Sequence, residues 1–234
     1  MSLDFSVIFE YRQILIDGFV KMIYICAAGL TIGLAVGAVV CAAKMSHSSL
    51  LRRCADVYIE WFRGTPFLIQ MFILYYVGPN FGLELDATLA GIIGLGIYSG
   101  SYFAENYRSG IQSIPRGQIE AARALGMGNA AVFFRIVLPQ MMGLILAPMT
   151  NNSVSFIKDS AVLSIITVQE LSFAGQSVIG QTYRYVEVYA AVALLYWVVI
   201  TCLTICSARL ERFFTRHRTA ASRLSTLSAK GDLK

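Results

Sequence analysis

The charged residues of this chain are spaced so that five long stretches contain none: 22–43, 64–83, 87–104, 136–157 and 188–208. At a helical rise of about 1.5 Å per residue, stretches of roughly 18 to 22 residues match a hydrocarbon layer about 30 Å thick. The pattern predicts an all-α polytopic membrane protein with five spans, at about 22–43, 57–78, 87–105, 137–157 and 188–208. The segment between the third and fourth spans, 106–135, has a different rhythm: Ile119, Ala122 and Leu125 fall on one helical stripe, with Glu120 and Arg123 turned away from it. Gly126 stands where a left-handed residue ends a helix, and Asn129 is placed to cap the next one. This connection is expected to fold as helix, glycine turn, helix. Neither a linker nor an internal repeat interrupts the chain, which reads as one membrane domain, 1–234.

Composition agrees with a bilayer as solvent: 56% of residues are hydrophobic and 14% charged, and the mean hydropathy is +0.63. The charges add an orientation. With alternating spans, Lys44, Arg52, Arg53, Arg108, Arg116, Arg123, Arg135 and the basic tail 209–234 share one side, against Arg12, Lys21, Lys158 and Arg184 on the other. Excess basic residues mark the cytoplasm, so the N-terminus is expected outside and the C-terminus inside. Arg212, Arg216, Arg218 and Arg223 then read as contacts to anionic membrane lipid, and the net charge of +5 needs no nucleic acid to explain it. Asp4, Glu10 and Asp17 near the start, with no basic n-region, argue against a cleaved signal peptide. Cys202 and Cys206 lack a second ligand pair and read as packing residues. His47 and His217 are isolated, so acid–base or nucleophilic catalysis is not expected. No lysine follows a glycine, which rules out a phosphate-binding Gly-x-x-x-x-Gly-Lys-Ser/Thr loop.

The small residues Ala121, Ala122, Ala124, Gly126 and Gly128 give the 106–135 connection a smooth surface, suited to a partner's groove. A hairpin that merely joins two spans is the alternative. The run Glu120-Ala121-Ala122, three residues, Gly126, nine residues, Ile136, one residue, Leu138-Pro139 resembles the signature loop of the membrane subunits of bacterial ATP-binding-cassette importers. YIEWFRGTPFLIQ, 58–70, and the step Lys158-Asp159-Ser160 are similar to the polar amino acid branch of those permeases, the histidine, glutamine, arginine and opine type. The resemblance spans roughly 17–209. It implies a type I importer permease fold in a bacterial inner membrane, whose segment from Glu120 to Gly126 is a coupling helix held by a cytoplasmic ATPase. It also implies two ATPase subunits, a second permease chain, homologous or identical, and an extracytoplasmic solute-binding protein. ATP and Mg²⁺ would sit on the ATPase, with no cofactor in this chain.

Within the membrane, Glu60 and Arg63 lie one helical turn apart, where burial of a charge is costly enough to suggest function. An internal ion pair with Arg63 snorkelling inward is the plainer alternative. Gly64, Thr65 and Pro66 suggest a loosened helix that restarts, with Thr65 as cap and free N–H groups facing an anion such as a carboxylate. The fourth span carries Asn151, Asn152 and Ser155, expected to line a path broken near Pro148 to Ser153, unless they only pack between helices. Asp159 is the expected partner of an ammonium group, with Ser160 beside it; Ser160-Ala161-Val162 has one hydroxyl fewer than the resembling pattern. Residues 160–183 read as an outer-side gate or interfacial helix. The function expected is inward, ATP-driven transport of a polar amino acid or related amine-bearing acid by alternating access. The rivals are an ion-coupled secondary carrier and a non-transporting assembly factor.

Overall fold

The computed structural model describes the backbone of residues 3–231 and the side chains of 3–214. Arg216, His217, Arg218 and Arg223, singled out in the tail, lie outside the residues whose side chains are described. The elements are α1 (Ser6–Glu10), α2 (Arg12–Lys44), α3 (Ser49–Gly64), α4 (Phe67–Phe72), α5 (Ala87–Gln112), α6 (Arg116–Ala124), α7 (Asn129–Val132), α8 (Leu138–Asp159), α9 (Leu171–Thr182) and α10 (Tyr185–Gly231). A π turn, Ile73–Val77, and a 3-10 turn, Gly78–Phe81, extend α4; a π turn, Phe133–Val137, joins α7 to α8; a 3-10 turn, Ser160–Ile166, follows α8.

Among the described residues, four segments are long and apolar enough to cross a membrane: Arg12–Lys44, Ala87–Gln112, Asn129–Ile166 and Tyr185–Phe214. The second expected span is instead assembled from α3, a break, and the shorter apolar segment Phe67–Phe81. Pro66 causes the break, since it forces the extended conformation seen at Thr65 (φ −119°, ψ 146°). The break expected near Pro148 does not form: α8 runs unbroken from Leu138 to Asp159 with Pro148 inside it. Its hydroxyls fold back on the helix, Thr150 Oγ1 donating to the Leu146 carbonyl at 2.8 Å and Ser155 Oγ to that of Asn151 at 3.2 Å. Much of the polar run is thus satisfied without unwinding.

The chain divides into two compact units, Met1–Glu105 with Asn151–Cys202, and Asn106–Thr150 with Leu203–Lys234. In the first, α2 and α5 approach through glycines. A Cβ on Gly37 would lie 2.8 Å from Phe103 Cβ and 3.0 Å from the Ala104 backbone nitrogen, and one on Gly100 would lie 2.8 Å from Val36 Cγ1. Small residues let helix backbones meet closely where lipid provides no hydrophobic drive. Gly18 gives α9 the same access, a Cβ there falling 2.6 Å from Ala174 Cβ. At one end of this unit Lys44 binds Asp56 at 2.9 Å and Glu105 at 2.8 Å, tying α2 to α3 and α5. Helix α9 has only 12 residues, about 18 Å at helical rise, so the 160–183 region holds no further span.

The second unit is built on an apolar cluster of Ile114, Ala122, Val132, Val137, Met141 and Ile145. It fixes α6, α7 and the start of α8 against the end of α5.

Candidate functional site

Two constellations carry the expected chemistry, one in each unit. In the second unit, α6 begins after Pro115 and ends at Gly126, whose φ of +81° is left-handed. The Gly126 N–H donates to the Arg123 carbonyl at 2.9 Å and the Met127 N–H to the Ala122 carbonyl at 3.1 Å. This pair of bonds is a Schellman closure, and Met127 and Ala122 complete it by sharing one apolar cluster. Asn129 is not the cap expected of it. Gly128 is the N-cap of α7 without a side-chain bond, and Asn129 Oδ1 instead accepts from Arg123 Nη2 at 3.3 Å across the turn.

The stripe expected on α6 is also divided. Ala122 is buried and Ile119 half-buried, but Leu125, at the turn where the helical period has ended, is 84% exposed. Glu120, Ala121, Gly126 and Pro139 face outward, whereas Ile136 and Leu138 are half-buried against the cluster. The signature residues therefore do two jobs: some hold the hairpin's shape and others form its outer surface. Sequence reasoning passed over Gln140, whose Nε2 donates to Gln118 Oε1 at 2.8 Å and to the Ile136 carbonyl at 3.0 Å, bracing α6 against α8. Only its place next to Leu138-Pro139 could have drawn attention to it.

In the first unit, Arg63 in the last turn of α3 places its guanidinium 5.0 Å from the centre of the Tyr102 ring, a cation–π contact. Tyr102 and Tyr98, one turn apart on α5, have hydroxyls 3.3 Å from each other. Both rings meet Phe156 edge-on, at 5.3 and 5.5 Å between centroids. Asp159 follows Phe156 by one helical turn at the end of α8. A cation is thus set over one of two paired tyrosines, and both tyrosine rings meet the Phe156 ring one turn before a carboxylate. Asn152 and Ser155 precede Asp159 on neighbouring helical faces, with Asn151 exposed beside them. The tyrosines were not expected; the only sign of them was two aromatic hydroxyls four residues apart inside a span.

Several expected roles change. Ser160 is buried and donates to the Ile157 carbonyl at 2.8 Å, so its hydroxyl is spent within its own helix end. Among the described residues no ion pair joins Glu60 to Arg63, and both are exposed. Thr65 does not cap: its hydroxyl donates backward to the Trp61 carbonyl at 2.8 Å, and Pro66 is the N-cap of α4 without a side-chain bond. Helix α4 itself has 6 residues and is continued by the π and 3-10 turns to Phe81. What answers the break is a side chain, Gln70 Nε2, which donates to the carbonyls of Phe62 and Thr65, each at 3.0 Å.

Glu170 was read only as an interruption of the 160–183 region. It is fully buried, accepts from the Phe173 N–H at 3.0 Å as the N-cap of α9, and accepts from the Tyr196 hydroxyl at 3.0 Å. Burial pushes its carboxyl above the ordinary range.

The family model described as "Binding-protein-dependent transport system inner membrane component" matches residues 29–216. The chain belongs to this family. A probable amino-acid ABC transporter permease protein of Bacillus subtilis, YckA, is 35% identical over 79% of this chain and 82% of its own length. The glutamine transport system permease protein GlnP of Escherichia coli K12 is 32% identical over 91% of this chain and 98% of its own. Among solved structures, one described as an amino acid ABC transporter with histidines aligns with a TM-score of 0.83 and 33% identity, covering 91% of this chain and 99% of that one. This protein is accordingly a multi-pass inner-membrane permease subunit of an ATP-driven importer, without an ATPase of its own, and it works with ATPase and permease partners. The all-helical type I permease fold is the one its sequence predicts.

Proposed function

We propose that this permease subunit moves a polar amino acid, or a related amine-bearing acid, inward by alternating access. The observation that carries the reading is the Arg63 guanidinium over the Tyr98–Tyr102 pair, whose rings both meet Phe156 one helical turn before Asp159. An α-amino acid carries a carboxylate and an ammonium a few ångströms apart, and a site with one cation, one carboxylate and two phenols matches both ends. Glu60, Gly64, Thr65, Asn151, Asn152, Ser155 and Ser160 border these groups in sequence and complete the candidate wall. The names of the relatives, amino-acid and glutamine permeases, agree with this substrate class.

In this reading two ATPase subunits bind ATP with Mg²⁺, and each engages a coupling surface made by Glu120, Ala121 and Gly126. Ala122, Ile136, Leu138 and Pro139 set the shape of that surface. A second permease chain completes the path, and an extracytoplasmic solute-binding protein delivers the solute. The N-terminus lies outside and the C-terminus in the cytoplasm, as the distribution of Lys and Arg favours. The test is uptake of labelled amino acids into proteoliposomes that hold the permease with its ATPase and binding protein. Saturable uptake that needs ATP is expected, with Arg63→Gln and Asp159→Asn each raising KM. Uptake that continues without the ATPase, driven by an ion gradient, would instead establish a secondary carrier.

A further inference from the structure

Gln70 lies in the first turns of α4 and reaches back over the break toward α3. Besides its bonds to the Phe62 and Thr65 carbonyls, its Nε2 lies 2.8 Å from Thr65 Oγ1. That hydroxyl spends its own proton on the Trp61 carbonyl, so every partner of the Gln70 amide nitrogen is an acceptor. A helix that stops leaves its last carbonyls without N–H partners, and Pro66 has no N–H to offer them. Gln70 supplies the missing donors from the far side of the break.

The amide has only one workable orientation. Turned over, its oxygen would face three other oxygens. As it stands, Gln70 Oε1 is buried and no protein group bonds to it. An unanswered buried acceptor is unfavourable, so the bonds at the nitrogen end must outweigh it. Arg63 lies between the two carbonyls that Gln70 holds, in the turn that sets its guanidinium over Tyr102.

We propose that Gln70 is a positioning residue: its amide fixes the α3–α4 break and thereby holds Arg63 over Tyr102 in the solute site. The proposal rests on the reading of Arg63 as a solute-binding group, and the experiment separates the two. The assembled transporter is prepared in proteoliposomes with Trp197→Phe, which leaves Trp61 as the sole reporter of the 2 tryptophans in the chain. Trp61 lines, with Thr65 and Gln70, a cavity of about 280 Å³ beside the break.

In Gln70→Leu the KM for uptake should rise roughly tenfold with a much smaller change in kcat, because ground-state and transition-state binding are lost together. In Gln70→Glu the introduced carboxylate, when ionised, faces three oxygens and repels them; when protonated it donates one bond. Its KM relative to the parent, and the Trp61 emission, should therefore move back toward the parent as pH falls, while the parent's emission stays constant. Gln70→Leu that assembles with the ATPase and transports at the parent KM would overturn the proposal. So would Gln70→Glu whose emission and relative KM follow the parent at every pH. If Arg63→Gln raises KM and the Gln70 variants do not, this inference alone fails. If Arg63→Gln leaves KM unchanged, the solute-site reading fails and the inference falls with it.

Discussion

Glu170 shows how one buried side chain can hold two helices at once. Its carboxylate caps α9 through the Phe173 N–H and reaches α10 through Tyr196, and both bonds need only an acceptor. Glu170→Gln keeps one acceptor oxygen for the Phe173 N–H, and its amide nitrogen can donate to the Tyr196 hydroxyl, which can turn its own proton to Ser172 Oγ at 3.1 Å; with the buried charge removed as well, its thermal midpoint at neutral pH should equal or exceed the parent's. Glu170→Ala leaves the Phe173 N–H unanswered and the Tyr196 hydroxyl with Ser172 as its remaining partner, and should lower stability by about 1–3 kcal/mol. The sign of the pH dependence follows from the raised carboxyl. The folded chain keeps this proton to higher pH than the unfolded chain does, so the stabilisation is full below the ordinary carboxylate range. It is lost as pH rises through the raised folded value. Glu170→Gln should lack that component, which thermal melts from acid to neutral pH would show. At this scale the sequence revealed charges well and their surroundings poorly. Arg63 and Asp159 stood out because bilayer burial of an ion is costly, whereas the roles of Tyr98, Tyr102 and Gln70 depend on which helices pack together.

Helix ends and helix crossings behave differently. Gly126 was legible because a left-handed residue closing a helix is a local event with a local signal. The cap at Asn129 was not, because Arg123 competes for its side chain from across the turn. Nor was the continuity of α8, which runs through Pro148, while the hydroxyls of Thr150 and Ser155 are satisfied by backward bonds to carbonyls of their own helix. Two glycines in one hairpin test the local rule. Gly126 has φ +81° with open space around its Cβ direction, whereas Gly128 has φ −69° and equally open space. Gly126→Ala should destabilise the hairpin by about 1 kcal/mol through backbone strain alone, and Gly128→Ala should be neutral or slightly stabilising. Hydrogen exchange of the 116–132 amides would separate them. Crossings follow steric rules instead. Gly37→Ala drives a methyl into the backbone of α5 near Ala104 and should cost about 1–3 kcal/mol, lowering the thermal midpoint of the purified permease.

On the proposed reading, the groups that would meet solute belong to the unit containing α2 to α4, and the surface that would meet the motor belongs to the unit built around the cluster of Ile114, Ala122 and Val132. As a permease subunit of an ATP-driven importer, the chain depends on a partner for its energy. Its contact must therefore be stable in water before the partner arrives and apolar enough to hold it afterwards. Leu125 meets both conditions: the Schellman closure fixes its backbone, and 84% of its surface is open to solvent. An apolar side chain held rigidly at the tip of a hairpin has the character of a residue that dominates an interface energetically. Leu125→Asp should leave the stability of the isolated permease within about 0.5 kcal/mol of the parent, because exposed positions tolerate charge. It should also weaken ATPase binding by tenfold or more, about 1.4 kcal/mol, and reduce ATP-driven uptake in proportion. Titrating the ATPase against detergent-solubilised permease gives the affinity directly. An unchanged affinity would move the contact to the Glu120 and Ala121 face of α6, where the introduced carboxylate would not be felt.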